Sequence, residues 1–293
     1  MLSYQHEYHA GNHADILKHI CLVRILQSLC KKDKPFTIID SHAGAGRFNL
    51  NDERLLKTGE AESGIKKLMA MASNLQAMPE AVASYINIEK PYFNRGLYAG
   101  SIELERLFLR TEDKHFVVEK HPQAFENLQM NLKMPVLRPE QEAEAAAKTI
   151  VINKDSYEQL NALTPPQIKR GLVLCDPSYE DDSDYVNVTN ALKTVRKKWN
   201  TAIIALWYPL LARRKNETAQ MLSSLEDFSK LGTMPCESFR CELIVKNPSD
   251  ISQDSKAHLY GSGMLVINPP WQLKQEMTET VEFLRTKCGF QLL

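Results

Sequence analysis

Four short apolar runs in this chain each lead to an acidic residue, and that recurrence limits what the chain can fold into. Phe36-Thr37-Ile38-Ile39 runs into Asp40, His115-Phe116-Val117-Val118 into Glu119, and Leu172-Val173-Leu174-Cys175 into Asp176. The run at residues 149–152 is followed by Asn153-Lys154-Asp155. Short runs of this kind, bounded by polar residues, read as strands. Between them lie helical patterns. Residues 12–32 place Ile16, Leu17, Ile20, Val23, Leu26 and Leu29 at helical spacing, with Asn12 as N-cap. Residues 101–110, 122–130, a stretch from Ser156, 185–199 and 217–231 read as further helices. Strands alternating with helices of this length build βαβ units around a mostly parallel sheet.

The expected fold is therefore α/β, a Rossmann-like sheet with helices on both faces. Residues 201–207 predict a fifth strand, cut off by Pro209. Residues 236–246 and 262–268 predict two closing strands, a hairpin edge ending at Pro269-Pro270. The stretch between Asp40 and His115 is too long for a single crossover helix. Residues 50–97 are expected to form an inserted helical subdomain, with 1–49 and 98–293 as the core. Within the insertion, 51–78 are helix-prone, and Pro79, Pro91 and Gly96 punctuate the remainder. Residues 140–148, acidic and alanine-rich, read as an exposed helix or loop.

Charge supplies no global attraction to nucleic acid or membrane, because 36 basic residues balance 36 acidic ones. Any such attraction must be local. The 6 cysteines include no C-x-x-C pair, the first residues carry no basic-then-apolar leader, and no apolar run is long enough to span a bilayer. The expectation is a cytoplasmic chain with reduced thiols.

The loop Asp40-Ser41-His42-Ala43-Gly44-Ala45-Gly46 follows the first strand, where open parallel sheets bind ligands. Gly44 and Gly46 permit a tight turn and close approach to a ligand. A phosphate-binding G-x-x-x-x-G-K-[ST] is absent, and Asn49 stands where a dinucleotide loop has its third glycine. A compact ligand without pyrophosphate, such as S-adenosylmethionine (AdoMet), fits better. Glu119 can accept hydrogen bonds from both ribose hydroxyls of such a ligand. Asp155 can accept from its adenine amino group, while the following backbone N–H donates to the ring. Taken singly, each acid is as readily an exposed polar residue, and the glycines a simple turn.

Asp176-Pro177-Ser178-Tyr179 carries the chemistry. An adenine N6 amine is a poor nucleophile because its lone pair is delocalised into the ring. The Asp176 carboxylate and the Pro177 carbonyl can each accept one N6–H, aiming the nitrogen lone pair at a sulfonium methyl. Tyr179 can stack on a base swung out of its nucleic acid. The bland alternative is a D-P turn with a surface tyrosine. A strand ending in D-x3-G-x-G followed by one ending in D-P-x-Y points to AdoMet-dependent methylation of exocyclic amines on bases. His6, His9, His13 and His19 crowd the N-terminus without Cys or H-E-x-x-H, so Tyr4, His6 and His9 read as base-stacking and phosphate-contacting groups rather than metal ligands. No metal is expected. Lys193, Arg196, Lys197, Lys198, Arg213, Arg214 and Lys215, with no acid from 186 to 216, form either an RNA-phosphate footprint or a solvated helix face.

The chain resembles the J-type family of bacterial large-subunit (23S) ribosomal RNA adenine-N6 methyltransferases. The matching residues are Leu2-Ser3-Tyr4, the string from His9 to Asp15 with Leu17-Lys18-His19, and Asp33-Lys34-Pro35-Phe36. They continue through residues 40–47, Gly100-Ser101, residues 176–180, Ala205-Leu206-Trp207-Tyr208-Pro209 and residues 262–271. The resemblance implies AdoMet contacts at His19, His42, Ser101, Glu119, Asp155 and Ser156, Asp176 as the catalytic acceptor, and substrate roles for Tyr4, His6 and Lys18. It implies large-subunit ribosomal RNA, before full ribosome assembly, as partner, with no membrane and no protein partner. Two positions depart from the family pattern: Ser178 replaces the second proline of D-P-P-Y, and Ser156 stands where glycine is frequent. Two other functions compete with this expectation. One is a catalytically weak AdoMet- and RNA-binding protein in which Ser178 has cost activity; the other is a DNA adenine-N6 methyltransferase, which lacks support from any separate DNA-recognition domain.

Overall fold

A seven-stranded sheet organises the chain, and a computed structural model describes residues 6–138, 142–143, 147–231, 234–248 and 259–290 of it. The first half runs α1 (His13–Cys30), β1 (Thr37–Asp40), β2 (Arg47–Asn49), α2 (Glu53–Thr58), α3 (Lys67–Ala70), α4 (Glu80–Phe93), β3 (Leu97–Ala99), α5 (Ser101–Phe108), β4 (Lys114–Val118) and α6 (Pro122–Asn131). Next come β5 (Val136–Leu137), β6 (Glu142–Ala143), β7 (Thr149–Ile152), α7 (Ser156–Leu163) and β8 (Gly171–Cys175). The chain continues with α8 (Ser183–Lys198), β9 (Ile203–Leu211), α9 (Lys215–Ser229), β10 (Ser238–Ile244), β11 (Leu259–Ile267) and α10 (Leu273–Thr286).

The sheet order is β7-β4-β1-β8-β9-β11-β10. The first five strands are parallel, and β11 lies antiparallel to both β9 and β10. This is the Rossmann-like α/β sheet expected from the sequence, with helices on both faces. Successive residues face opposite sides. Ile38, Leu172, Leu174 and Ala205 join one apolar cluster with α1, α4 and α10, whereas Ile39, Val173, Cys175, Ile204 and Leu206 join another with α8 and α9. Helix α1 packs against α4, α5, α10 and β11, which explains why it is apolar nearly all round. Asn12 caps it as expected, its side chain accepting from the Ala14 and Asp15 amides at 2.9 Å.

The structure corrects several expectations. Strand β9 is not cut off at Pro209 but runs through it to Leu211. Its partner β8 pairs only as far as Leu206. Beyond that point this side of β9 is an open edge, and a missing N–H there loses no ladder bond. The Trp207 carbonyl, two residues earlier on the same side, is instead taken by the Tyr179 hydroxyl at 3.1 Å. The helix-prone stretch 51–78 breaks into α2, a π-type turn at Glu62–Lys66, α3 and a 3-10 turn at Ala72–Ala77. Pro79 punctuates as expected, standing at the N-cap position of α4, whereas Pro91 falls inside that helix, in its last turn. Of residues 140–148, Glu142 and Ala143 pair with β5 as a short strand, and 140–141 and 144–146 lie outside the described residues. The β2–β3 pair and α10 have no counterpart in the sequence reading.

The segment between β2 and β3 grips the N-terminal loop through its backbone. The Ile65 amide donates to the Gly11 carbonyl at 2.8 Å. A Cβ on Gly64 would fall 2.0 Å from that same oxygen, so only glycine permits the approach. Leu55, Ile65, Leu68, Val82, Tyr85 and Ile86 of this segment share one cluster with α1. Among the described residues no helix is long and apolar enough to cross a membrane.

Candidate active site

The four acids that end the apolar runs all arrive at the carboxyl edge of the sheet, around a cavity of about 1010 Å³. A single small-molecule site seldom exceeds roughly 1,000 Å³, so there is room for a cofactor and a base together. Asp40 itself is fully buried behind the glycine loop. It accepts from the His42 amide at 2.9 Å and from the Ser101 hydroxyl at 2.7 Å. Burial, and then the nearby Glu105, pushes Asp40 up to about 8. Its work is to shape the loop. Ser101, which lines the cavity, is thereby also a support for that loop.

Glu119 lines the cavity with each carboxylate oxygen already accepting one amide, from Gly44 at 2.7 Å and from His121 at 2.6 Å. Burial raises its pKa against those two bonds. The Gly44 amide reaches it because the backbone there is left-handed, with φ +58°. Asp155 has a task the sequence reading did not assign: its Oδ1 caps α7 by accepting from the Tyr157 and Glu158 amides at 3.1 and 3.2 Å. Its Oδ2 accepts from Lys120 at 3.0 Å. Burial raises its pKa, but the Lys120 bond and the two amides outweigh it and hold Asp155 low. An incoming amine would compete with Lys120, whose side chain is 54% exposed and therefore cheaply displaced. Ser156 is buried at the start of α7 on the cavity wall. His42, kept neutral at about 3 by burial, stands edge-on to Tyr157 at 5.7 Å.

Across the cavity lies a line of linked side chains, His6, Asp15, Lys18 and Asp176. His6 Nε2 is 2.9 Å from Asp15 Oδ2, Lys18 Nζ is 2.8 Å from Asp15 Oδ1, and Lys18 Nζ is 2.5 Å from Asp176 Oδ2. Asp15 also accepts the Gly11 amide at 2.9 Å. Despite burial, His6 and Lys18 hold the Asp15 carboxyl well below its usual range. Burial pulls the Lys18 ammonium down, but Asp15 and Asp176 raise it further, so it stays charged. Residues near the N-terminus are thus brought to the Asp176 loop. Tyr4 lies outside the described residues.

Pro177 is buried, Ser178 is exposed and makes no side-chain hydrogen bond among the described residues, and Tyr179 is 5% exposed. Tyr179 takes a left-handed φ of +52°, a strained conformation for a residue with a side chain. Its ring packs 4.9 Å from Tyr185 and 6.1 Å from Trp207, and its hydroxyl is tied to the Trp207 carbonyl. It is a fixed wall of the cavity, not a surface tyrosine.

The basic cluster does not form one footprint. Arg196 is buried against the Asn200 and Met234 carbonyls, Lys193 donates to Ser224 at 2.6 Å, and Arg214 pairs with Glu217 and Asp182. Arg213 alone of the group lines the cavity. His9 is held by Glu60 at 2.9 Å, and the bond raises its pKa. Among residues not singled out from sequence, Asp15, Glu60, Lys120 and His121 line the cavity, and Tyr98 lies behind it bonded to His19. Asp15 had a usable signal, an acid spaced three residues from Lys18 inside an otherwise apolar helix.

Residues 33–291 match the family model described as Ribosomal RNA large subunit methyltransferase D, RlmJ. Ribosomal RNA large subunit methyltransferase J of Escherichia coli (strain K12) is 38% identical, over 98% of this chain and 94% of its own. Its namesake from Haemophilus influenzae is 36% identical, over 97% and 93%. The crystal structure of protein LPL1258 from Legionella pneumophila superposes with a TM-score of 0.77 at 32% identity, covering 95% of this chain and 93% of that one.

Proposed function

The chain belongs to the family described as Ribosomal RNA large subunit methyltransferase D, RlmJ, and from that membership and the layout of the cavity we propose that it methylates the N6 amine of one adenine in large-subunit (23S) ribosomal RNA, with AdoMet as co-substrate. The observation that carries this reading is the meeting of Asp176-Pro177-Ser178-Tyr179 with the 40–46 loop, Glu119 and Asp155 around one cavity. The residues present suit AdoMet: acids for the ribose and adenine, a glycine turn instead of a phosphate loop, and a buried, unpartnered Nε2 on His19 facing no protein acceptor among the described residues. Bound there, AdoMet would supply an electrophilic sulfonium methyl.

The chain's own residues do the rest. Glu119 accepts from the ribose, with Gly44 and His121 holding the carboxylate in place. Asp155 and the Ser156 backbone address the adenine of AdoMet, and His19, His42 and Ser101 line the remainder of its site. Asp176 and the Pro177 carbonyl accept the two N6–H bonds of the target base, so that its lone pair points out of the ring plane. Tyr179, locked by the Trp207 carbonyl, offers a rigid face to that base. Lys18 holds the Asp176 carboxylate in place before the base arrives; the amine then takes over part of that hydrogen bonding. Proton loss follows methyl transfer and needs no prior deprotonation of the amine. Tyr4 and His6 contact the RNA, whose binding before full ribosome assembly leaves the target base accessible.

The test is transfer of tritium from methyl-labelled AdoMet to naked large-subunit ribosomal RNA, with digestion and mass spectrometry of the labelled nucleoside. One N6-methyladenosine per RNA is expected. Asp176→Ala should abolish turnover while AdoMet affinity, read by calorimetry, changes little. Label on another nucleoside, or full activity in Asp176→Ala, would refute the proposal.

A further inference from the structure

A chain of three polar groups runs from α4 through β3 to the cavity, and nothing in the chemistry above uses it. Tyr85 and Tyr98 are both fully buried. Tyr85 Oη lies 3.2 Å from Tyr98 Oη, and Tyr98 Oη lies 2.7 Å from His19 Nδ1. The His19 ring stacks on Tyr98 at 5.6 Å and lines the cavity, and its other nitrogen, Nε2, is buried with no hydrogen-bond partner among the described residues.

Counting protons, and asking where the unmatched one lies, sets the direction of this chain. Each phenol has one O–H to place. Suppose His19 carried its proton on Nδ1 and donated to Tyr98. Tyr98 would then have to donate to Tyr85, whose own buried proton would meet no acceptor among the described residues. An orphaned buried donor costs about 1–3 kcal/mol. In the opposite direction Tyr85 donates to Tyr98 and Tyr98 donates to Nδ1, and the one proton left over is the ring's own, on the cavity wall where a bound ligand can accept it, whereas the enclosed Tyr85 hydroxyl has no such outlet. The ring proton then sits on Nε2. A doubly protonated ring is excluded at neutral pH, because burial, and then the Lys18 charge, pulls His19 down to about 3.

We infer that Tyr98 is a positioning residue that fixes His19 as its Nε2–H tautomer, so that the cavity wall presents a hydrogen-bond donor to the carboxylate of the cofactor's methionine end. The assignment of the ligand rests on the AdoMet reading: with ribose and adenine addressed at the ends of β4 and β7, the methionine carboxylate is the acceptor left for α1. The family's imidazole contact is thereby made dependent on a residue of β3. Tautomer control by the group on the far nitrogen is a general property of histidine.

Two measurements test this. In the wild-type protein, ¹⁵N spectra of His19 should show a protonated Nε2 and an unprotonated Nδ1; the reverse pattern overturns the inference whatever any variant does. Calorimetry of Tyr98→Phe should then show S-adenosylhomocysteine binding weakened at least fivefold, with 5′-methylthioadenosine, which lacks the amino-acid end, changed less than twofold. Tyr85→Phe, which leaves the Tyr98 donor in place, should keep both the ¹⁵N pattern and the ratio of the two affinities. Equal loss of both ligands in Tyr98→Phe, with the His19 pattern unchanged, would mean that Tyr98 acts only through packing and refute the proposal. Failure of either ligand to bind the wild-type protein would sink the cofactor reading instead, and the ¹⁵N pattern would still decide the tautomer.

Discussion

Replacing Asp15 by asparagine separates the two tasks that the line from His6 to Asp176 performs. The carboxylate is 2% exposed and accepts three hydrogen bonds, from His6, the Gly11 amide and Lys18. Asparagine keeps the shape but loses the charge and one accepting oxygen. Breaking a buried ion pair ordinarily costs about 3–5 kcal/mol. Lys18 retains Asp176, so the loss should fall below that range, at about 2–3 kcal/mol, or a melting temperature about 4–6 °C lower for a chain of this size. Activity should fall further than stability explains. Without Asp15 the Lys18 ammonium rests on Asp176 alone, and the target amine must compete with a tighter bond. A drop in kcat/KM of roughly ten- to a hundredfold at full occupancy of the fold is expected, equivalent to about 1.4–2.8 kcal/mol. AdoMet affinity, measured by calorimetry, should change little. The assay is a double-mutant cycle on Asp15→Asn and Lys18→Met, read in both stability and kcat/KM. Additive losses, or wild-type kcat/KM in Asp15→Asn, would refute the reasoning.

Glu119→Ala should weaken AdoMet binding at least tenfold, because it removes charge-assisted acceptors of about 1.5–3 kcal/mol each and releases the Gly44 amide from the loop; unchanged calorimetric affinity would remove Glu119 from the site. Ser178→Pro should leave kcat within roughly fivefold, since Ser178 is exposed and proline changes only loop preorganisation, by about 0.4–1 kcal/mol. A wild-type protein inactive until Ser178→Pro is introduced would favour the binding-protein alternative. His19 gives a pH test. Its folded pKa of about 3 lies below the unfolded value of about 6.5, so between those values the unfolded chain binds the extra proton and stability is lost as pH falls. At pH 5 that loss is about 2 kcal/mol, and His19→Gln should shrink the pH 7-to-5 fall in urea stability by that amount; parallel curves for the two proteins would contradict it.

The parallel half of the sheet was legible because its strands are covered on both faces. Leu172, Leu174 and Val173, Cys175 serve opposite clusters, so the run is apolar throughout and its end at Asp176 is sharp. Strand β9 was legible only to Trp207, since the rule that proline ends a strand does not reveal that β8 stops first and leaves an open edge. The stretch between β2 and β3 was legible as helix-prone, not as the short helices and turns it forms. Its short helices are set by contacts with α1, and Gly64 has meaning only once Gly11 is placed against it. The cavity acids could be read from their positions after strands. What each carboxylate does with its second oxygen could not: the Lys120 bond to Asp155 and the Lys18 bond to Asp176 join residues 35 and 158 apart in sequence.

That last separation orders events during synthesis. Lys18 and Asp15 are made early, and the segment whose Gly64-Ile65 backbone grips the Gly11 loop comes within the next stretch of chain. Asp176 emerges only 158 residues after Lys18, roughly 8–30 s later at ordinary elongation rates. Of the two acids that hold the Lys18 ammonium in the folded protein, Asp15 is thus already in the chain three residues before it, and Asp176 can complete the set only once β8 is in place.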